Sequence, residues 1–257
     1  MHKNFSGIAR FFYLEGETLL DILLRDQTTG KNILWANSEF GAEEIKFEQI
    51  NLIEPRWKKI REHQKQRTRD RAEIFTPPEV CEIQNDLIAD EKNWQDYIDA
   101  KYLEITCGEA PYLVNRYNAV TGEIIPINLR GGLLDRKLKL INNETKTFPD
   151  WINFTLRAVK SVYGYEFQGD NLFLARRNVF ETVADFYNEK FSRKPNDDFL
   201  RQVAEIISWN IWQMDGLTYS PPFTDNANLF GGANCLIMDW KKNEPFEFAE
   251  LLKGGHR

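Results

Sequence analysis

The sequence predicts an α/β domain built on a mostly parallel sheet with helices on both faces, preceded by a small amino-terminal appendage of mixed structure. Three observations carry that expectation. Short apolar runs alternate with longer segments of helical period, which is how strand–helix–strand units build a parallel sheet. An acidic residue closes each candidate strand. The chain has 257 residues, 42% of them hydrophobic and 28% charged, with 15 Gly and 10 Pro, so it can bury one large core and is not disordered, collagenous or coiled-coil.

Residues 1–55 form the expected appendage and 56–257 the α/β domain. In the appendage, 9–14, 19–24 and 32–35 are patterned pieces separated by Gly- and Asn-rich turns. A basic segment, 56–71, leads to Phe75-Thr76-Pro77-Pro78, where paired prolines stop any preceding helix and Glu79 starts another. Val80, Ile83, Leu87 and Ile88 then share one side of a helix. Residues 102–106 read as a strand, 107–111 as a tight turn, and Tyr112-Leu113-Val114 as a helix start. Thr121-Gly122-Glu123 between apolar runs predicts a hairpin, and Ile152, Leu156 and Val159 a helix. A second strand–helix unit spans 161–166 and 171–191. A third pairs a helix at 199–205 with an extended aromatic stretch at 206–216, in which Trp209 and Trp212 are expected core residues. Residues 234–240 are the fourth strand candidate.

Several function classes are excluded by counts. No run approaches the roughly 18 apolar residues of a membrane span, and the first residues lack a signal peptide's apolar segment, so a cytoplasmic location is expected. Cys81, Cys107 and Cys235 lie far apart with no Cys-x-x-Cys, against a zinc ribbon or disulfide framework and for reduced thiols. His2, His63 and His256 are near the chain ends or inside a charge run, where none suits a serine or cysteine triad.

The net charge of −6 opposes a nucleic-acid partner only on average. Arg56, Lys58, Lys59, Arg61, Lys65, Arg67, Arg69 and Arg71 stand against Glu62 and Asp70, a local balance of +6 that leaves −12 for the remainder. A solvated helix face is the ordinary reading of such a run. This one lacks the alternating signs of a self-paired helix, so contact with a polyanion such as DNA competes with it.

Glu104, Glu166, Asp215 and Asp239 fall at strand ends, where open parallel sheets bind ligands. A carboxylate there must be solvated, paired or bound to a ligand hydroxyl or amine. The first turn has Gly108 alone where a dinucleotide site needs Gly-x-Gly-x-x-Gly, and no phosphate-binding Gly-x4-Gly-Lys-Ser/Thr exists. A nucleoside without phosphates suits such a site, and S-adenosylmethionine, with ribose hydroxyls, an adenine amine and cationic groups, meets the description.

At this level of detail a family becomes recognisable. Residues 69–77, ending Phe75-Thr76-Pro77, resemble the Phe-Thr-Pro cofactor motif of the DNA adenine-N6 methyltransferases of restriction–modification systems. Residues 102–113 are similar to their Asp-Pro-Ala-Cys-Gly-Ser-Gly motif, Gly164-Tyr165-Glu166 with Leu174-Ala175-Arg176 and Asn178 to the following strand and helix, and Met214-Asp215-Gly216-Leu217 to the strand that contacts adenine. The order matches across roughly residues 67–217. The resemblance implies a Rossmann-like S-adenosylmethionine-dependent methyltransferase sheet, requiring no metal, that transfers methyl to adenine N6 of an extruded base. It makes Phe75, Thr76 and Pro77 a wall of the cofactor pocket, gives the methionine portion to Glu104, Thr106, Cys107 and Gly108, the ribose to Glu166 and the adenine amine to Asp215. Asp135 is an alternative ribose ligand.

The sequence departs from the family at Glu104, usually Asp, and at Glu109-Ala110, usually Ser-Gly. For the catalytic Asn/Asp-Pro-Pro-Tyr/Phe segment it offers Ser220-Pro221-Pro222-Phe223, with Pro222 and Phe223 as candidates, or Asp239 and Trp240 closing the fourth strand. The family's sheet has three further strands, so the resemblance implies one incomplete at its carboxyl end. A nuclease or second methyltransferase subunit is the expected protein partner. A non-catalytic DNA- or subunit-binding protein that retains the fold is the alternative function.

Overall fold

The computed structural model describes residues 18–37, 39–59, 64–65, 68–69, 76–88, 93–224 and 234–253. Among them, no helix is long and apolar enough to cross a membrane, and all three thiols are free and buried.

Helix α1 (Leu19–Leu24) starts from a capping box in which Thr18 and Asp21 each satisfy the other's backbone N–H. Every residue of α1 except Asp21 is buried. Further along come α2 (Pro78–Ile88), α3 (Trp94–Asp99), β1 (Tyr102–Glu104), α4 (Leu133–Glu144), α5 (Phe148–Lys160), β2 (Val162–Glu166), α6 (Gly169–Phe191), α7 (Asp197–Asn210) and β3 (Ile211–Gln213). Strands β1, β2 and β3 make a parallel sheet with β2 in the centre. Glu104 lies opposite Gly164, and Glu166 opposite Gln213. The α/β class and the parallel sheet agree with the sequence-based expectation.

The covering of the sheet differs from it. Strand residues alternate in direction, and Val162 and Ile211 join the large helical core whereas Tyr163 and Trp212 join a second cluster with Ile237 and Phe248. That second cluster belongs to a separate antiparallel pair, β4 (Leu236–Asp239) and β5 (Glu244–Glu247), followed by the short helix α8 (Phe248–Leu252). Among the described residues a hairpin, not a layer of long helices, thus packs on that face. The fourth strand candidate is therefore no member of the parallel sheet. Asp239 turns the chain back by accepting the Lys241 and Lys242 N–H groups, and Asn243 adopts φ 57°.

Three other expectations are corrected. Residues 206–210 are the end of α7, because Val203, Ile206 and Ile207 continue its buried stripe, and β3 keeps only three residues. No helix begins at Tyr112; the N–H groups of Tyr112 and Leu113 are turned onto the Glu104 carboxylate. Helix α2 forms, but Ile83 (62% exposed) and Leu87 (81%) face outward, because Cys81 and Asn85 take the buried side and the Asn85 amide donates to the carbonyls of Tyr112 and Gly131. The hairpin at Gly122 is present, closed by a bridge between Tyr117 and Ile124.

The described part of residues 1–55 is not an appendage. Leu19, Leu23, Ile33 and Trp35 lie in the same core as α4 to α7. Gln213, the last residue of β3, donates from its amide to the Leu34 carbonyl and accepts the Leu34 N–H, each at 2.7 Å. Beside it, the Gly169 N–H donates to the Trp35 carbonyl at 3.0 Å, and a Cβ on Gly169 would stand 1.9 Å from the Leu34 oxygen. Gly169→Ala is accordingly expected to force this segment off the sheet and to destabilise the chain by about 1–3 kcal/mol, read as a lower urea midpoint with an unchanged slope.

Candidate functional site

A cleft of about 1110 Å³ opens at the carboxyl ends of β1, β2 and β3. Four of the stretches that line it contribute Thr76, Glu104, Thr106, Cys107, Gly108, Glu166 and Asp215, seven of the nine residues that the resemblance assigns to a cofactor. Pro77 is not on the wall, and Phe75 lies outside the described residues. The motif pattern passes over Phe167, Gln168 and Asn171, which also line the cleft. Their only sequence signal is position, directly after a strand that ends in an acid.

The turn after β1 is shaped by backbone strain. Thr106, Gly108 and Ala110 have φ of 47°, 54° and 62°. A β-branched residue in this region is an outlier, and such conformations persist only where their surroundings fix them. The fixing contacts are visible: the Cys107 N–H donates to the Tyr165 carbonyl at 2.8 Å, and the Gly108 N–H to Glu166 Oε2 at 2.9 Å. The other oxygen of Glu166 accepts the Gln168 N–H at 3.0 Å. Glu166 therefore ties the turn after β1 to the turn after β2, while its carboxylate remains on the cleft wall.

Glu104 is half-buried and accepts the N–H groups of Tyr112 (3.3 Å) and Leu113 (3.2 Å). Burial pushes its carboxyl up to about 8, and the negative charge of Glu166 adds to the shift, against the two backbone donors. Asp215 accepts the Leu217 N–H at 2.8 Å, closing the turn after β3. Among the described lining residues Arg69 is the sole cation, so the chemical character of the cleft is that of an acceptor of hydroxyls, amines and positive charge.

Two acids have other employment. Glu109 is 2% exposed and points away from the cleft, where it accepts the Arg56 N–H at 2.8 Å and the Tyr117 hydroxyl. Asp135 is fully buried, with one oxygen accepting the N–H groups of Asn115 and Gly132. It is absent from the cleft wall, so the ribose alternative at Asp135 is corrected: this carboxylate anchors the start of α4.

Of the basic segment, Lys59 pairs with Asp170 at 3.2 Å, and Lys58 lies over the Trp57 ring. Arg56, Lys65 and Arg69, with Gln64 and Thr68, line a second recess of about 520 Å³, and Arg69 borders both hollows. Arg61, Arg67 and Arg71 lie outside the described residues.

The two catalytic candidates are placed differently. Trp240 donates from its indole to Asn210 Oδ1 at 2.8 Å, and Asn210 precedes β3, so Asp239 and Trp240 sit at the amino end of the sheet, away from the cleft. Cys235, just before β4, donates from Sγ to the Gln213 carbonyl at 3.3 Å, so the segment runs from the carboxyl end of β3 back to its amino end. Phe223 instead packs edge-on against Phe167 with ring centres 5.8 Å apart, at the cleft rim, with φ 63°. Pro222 is buried beneath it, and the Ser220 hydroxyl is bonded to that of Thr218 at 2.7 Å.

No family model matches the chain, and neither a curated protein nor a solved structure matches it.

Between its ordinary value of 4.5 and about 8, the Glu104 carboxyl binds a proton in the folded chain that the unfolded chain releases. Its contribution to stability is therefore present at low pH and lost as pH rises through that window. Urea midpoints of Glu104→Gln are expected to depend less steeply on pH across the window than those of the unaltered chain.

Proposed function

We propose that the cleft binds S-adenosylmethionine and that the chain is a DNA adenine-N6 methyltransferase-like protein of a restriction–modification system, with a Rossmann-like methyltransferase fold. The observation that carries this reading is the convergence of Thr76, Glu104, Thr106, Cys107, Gly108, Glu166 and Asp215 on one cleft. The order of β1, β2 and β3, with the second strand central, is that of one half of a doubly wound sheet and supports it further.

The donor set fits the cofactor. Carboxylates at three strand ends, one cation and no glycine-rich phosphate cradle among the described residues match a nucleoside that carries hydroxyls, an amine and positive charge. Glu166 accepts ribose hydroxyls from a position held by two backbone N–H groups, and Asp215 accepts the adenine amine. The strained turn 106–110 brings backbone rather than side chain to the ligand at Gly108. The bound cofactor supplies an electrophilic methyl group on its sulfonium. Phe223 at the rim offers a ring to an extruded base, and Arg56, Lys65 and Arg69 beside the cleft offer charge to backbone phosphates.

A second reading is favoured by one specific observation. Asp239 and Trp240 lie at the far end of the sheet, and the Ser220 hydroxyl is already bonded, so a cofactor-binding protein that recognises DNA or a partner subunit without methylating it also accords with the geometry. Labelled methyl transfer to unmethylated DNA separates the two, with transfer lost in Phe223→Ala under the enzymatic reading and no transfer at all under the other.

Titration calorimetry tests the cofactor claim. Binding is expected, and Glu166→Ala or Asp215→Ala is expected to weaken it at least about tenfold, the worth of a hydrogen bond to a charged group; heat-silent titration at millimolar cofactor would refute it. For DNA, the slope of log affinity against log salt is expected to flatten by about two in the double variant Lys65→Ala, Arg69→Ala. An unchanged slope would remove those two phosphate contacts.

A further inference from the structure

We propose that Glu104 makes this cleft selective for a positively charged ligand, and that it does so by giving up a proton to solvent as the ligand binds. The inference rests on the cofactor reading above and adds to it a proton that the binding reaction must carry.

The geometry has three parts. Glu104 is on the cleft wall but half-buried, with each oxygen accepting one backbone N–H at 3.2–3.3 Å. Each oxygen keeps a second lone pair, one for a ligand and, in the empty cleft, one for a proton. The surroundings supply little positive charge to hold a carboxylate. Around Glu104 stand Cys81 on α2, Cys107 and Tyr112 on its own turn and Glu166 at the end of β2; Asp215 lines the same cleft beyond β3, and Arg69 is the sole cation among the described lining residues. Burial and the neighbouring Glu166 charge place the carboxyl at about 8, protonated near neutrality. The Cys81 thiol, facing the same carboxyl, is itself pushed up to about 12 by burial and does not titrate there.

A cationic group entering this space reverses the balance, since an opposite charge favours the ionised carboxyl. The reaction is then a neutral Glu104 carboxyl plus a cationic ligand, giving a carboxylate–cation pair and one proton delivered to the buffer. An uncharged nucleoside makes no such demand and leaves the proton in place.

The test is calorimetry of the full chain with S-adenosylmethionine and, separately, with adenosine, in two buffers of different ionisation heat at each pH. The difference between buffers counts protons directly. At pH about 7, close to one proton is expected per S-adenosylmethionine bound and none with adenosine, and affinity for the cationic ligand is expected to fall roughly tenfold per pH unit from about 8 to 6. In Glu104→Gln the release is expected to vanish and affinity to become flat with pH. Binding without proton release in the unaltered chain overturns this inference alone, and so does release that persists in the variant. No binding of S-adenosylmethionine at any pH overturns the cofactor reading and this inference with it. Since the count on the unaltered chain is decisive by itself, a variant that fails to fold does not protect the claim.

Discussion

The buried guanidinium of Arg176 holds together the segments on which the cleft depends. Nε donates to the Ile211 carbonyl at 2.7 Å, one terminal nitrogen to Leu23 and Arg25 at 2.8 Å, and the other to Ser208 at 3.2 Å. Those carbonyls lie at the carboxyl ends of α1 and α7 and at the start of β3, so one cation satisfies groups that helix ends leave unpaired and meets the negative ends of two helix dipoles. Burial lowers its pKa to about 10 and leaves it charged at neutrality. This contact fixes where α7 stops and β3 begins. With β3 set at one end by Arg176 and at the other by the Gln213–Leu34 pair, Asp215 emerges at the level of Glu166.

From that frame the acids divide by what they touch. Glu109 spends its oxygens on the Arg56 N–H and the Tyr117 hydroxyl, and Asp135 uses one of its oxygens for the N–H groups of Asn115 and Gly132, so both brace the loop between β1 and α4. Glu104, Glu166 and Asp215 also accept backbone N–H groups, but they stay on the cleft wall, so each is held oriented beside the cleft. Ligand-binding carboxylates gain from such anchoring because less side-chain freedom is lost when the ligand arrives. Lys137 is used structurally: fully buried, it donates to the Ile98 and Ala100 carbonyls and to Ser161 and lies over the Tyr102 ring, and burial pushes its ammonium down to about 7.

Much of this was legible in residue order. Helices α5 and α6 carry long buried stripes, and β1 and β2 end in acids before a turn, signals that survive without tertiary context. What escaped did so for local physical reasons. Ile206, Ile207 and Trp209 are β-branched or aromatic, yet residues 206–210 extend a helix whose buried stripe was already set by Val203. The 234–240 stretch reads as a strand correctly but gives no hint of direction, which its contacts with Gln213 at one end and Asn210 at the other reveal. The apolar side of α2 faces water because an asparagine with two carbonyls to satisfy claims the inner side, and the leading fifty-five residues lack long periodicity although Gly169 and Gln213 receive the segment around Leu34 and Trp35 into the core. Seven of the residues expected at a cofactor converge on one cleft because each sits at a strand end or helix entry, where position alone fixes placement.

The central claim is that the acids at the strand ends surround a nucleoside. A crystal structure of the chain with S-adenosylhomocysteine, the product form of the cofactor, tests it most directly. The account predicts the ribose hydroxyls within hydrogen-bond distance of Glu166, the adenine amine beside Asp215 and the amino acid portion along the turn 104–108. A ligand bound elsewhere, or a cleft left to solvent at saturating concentration, would contradict it.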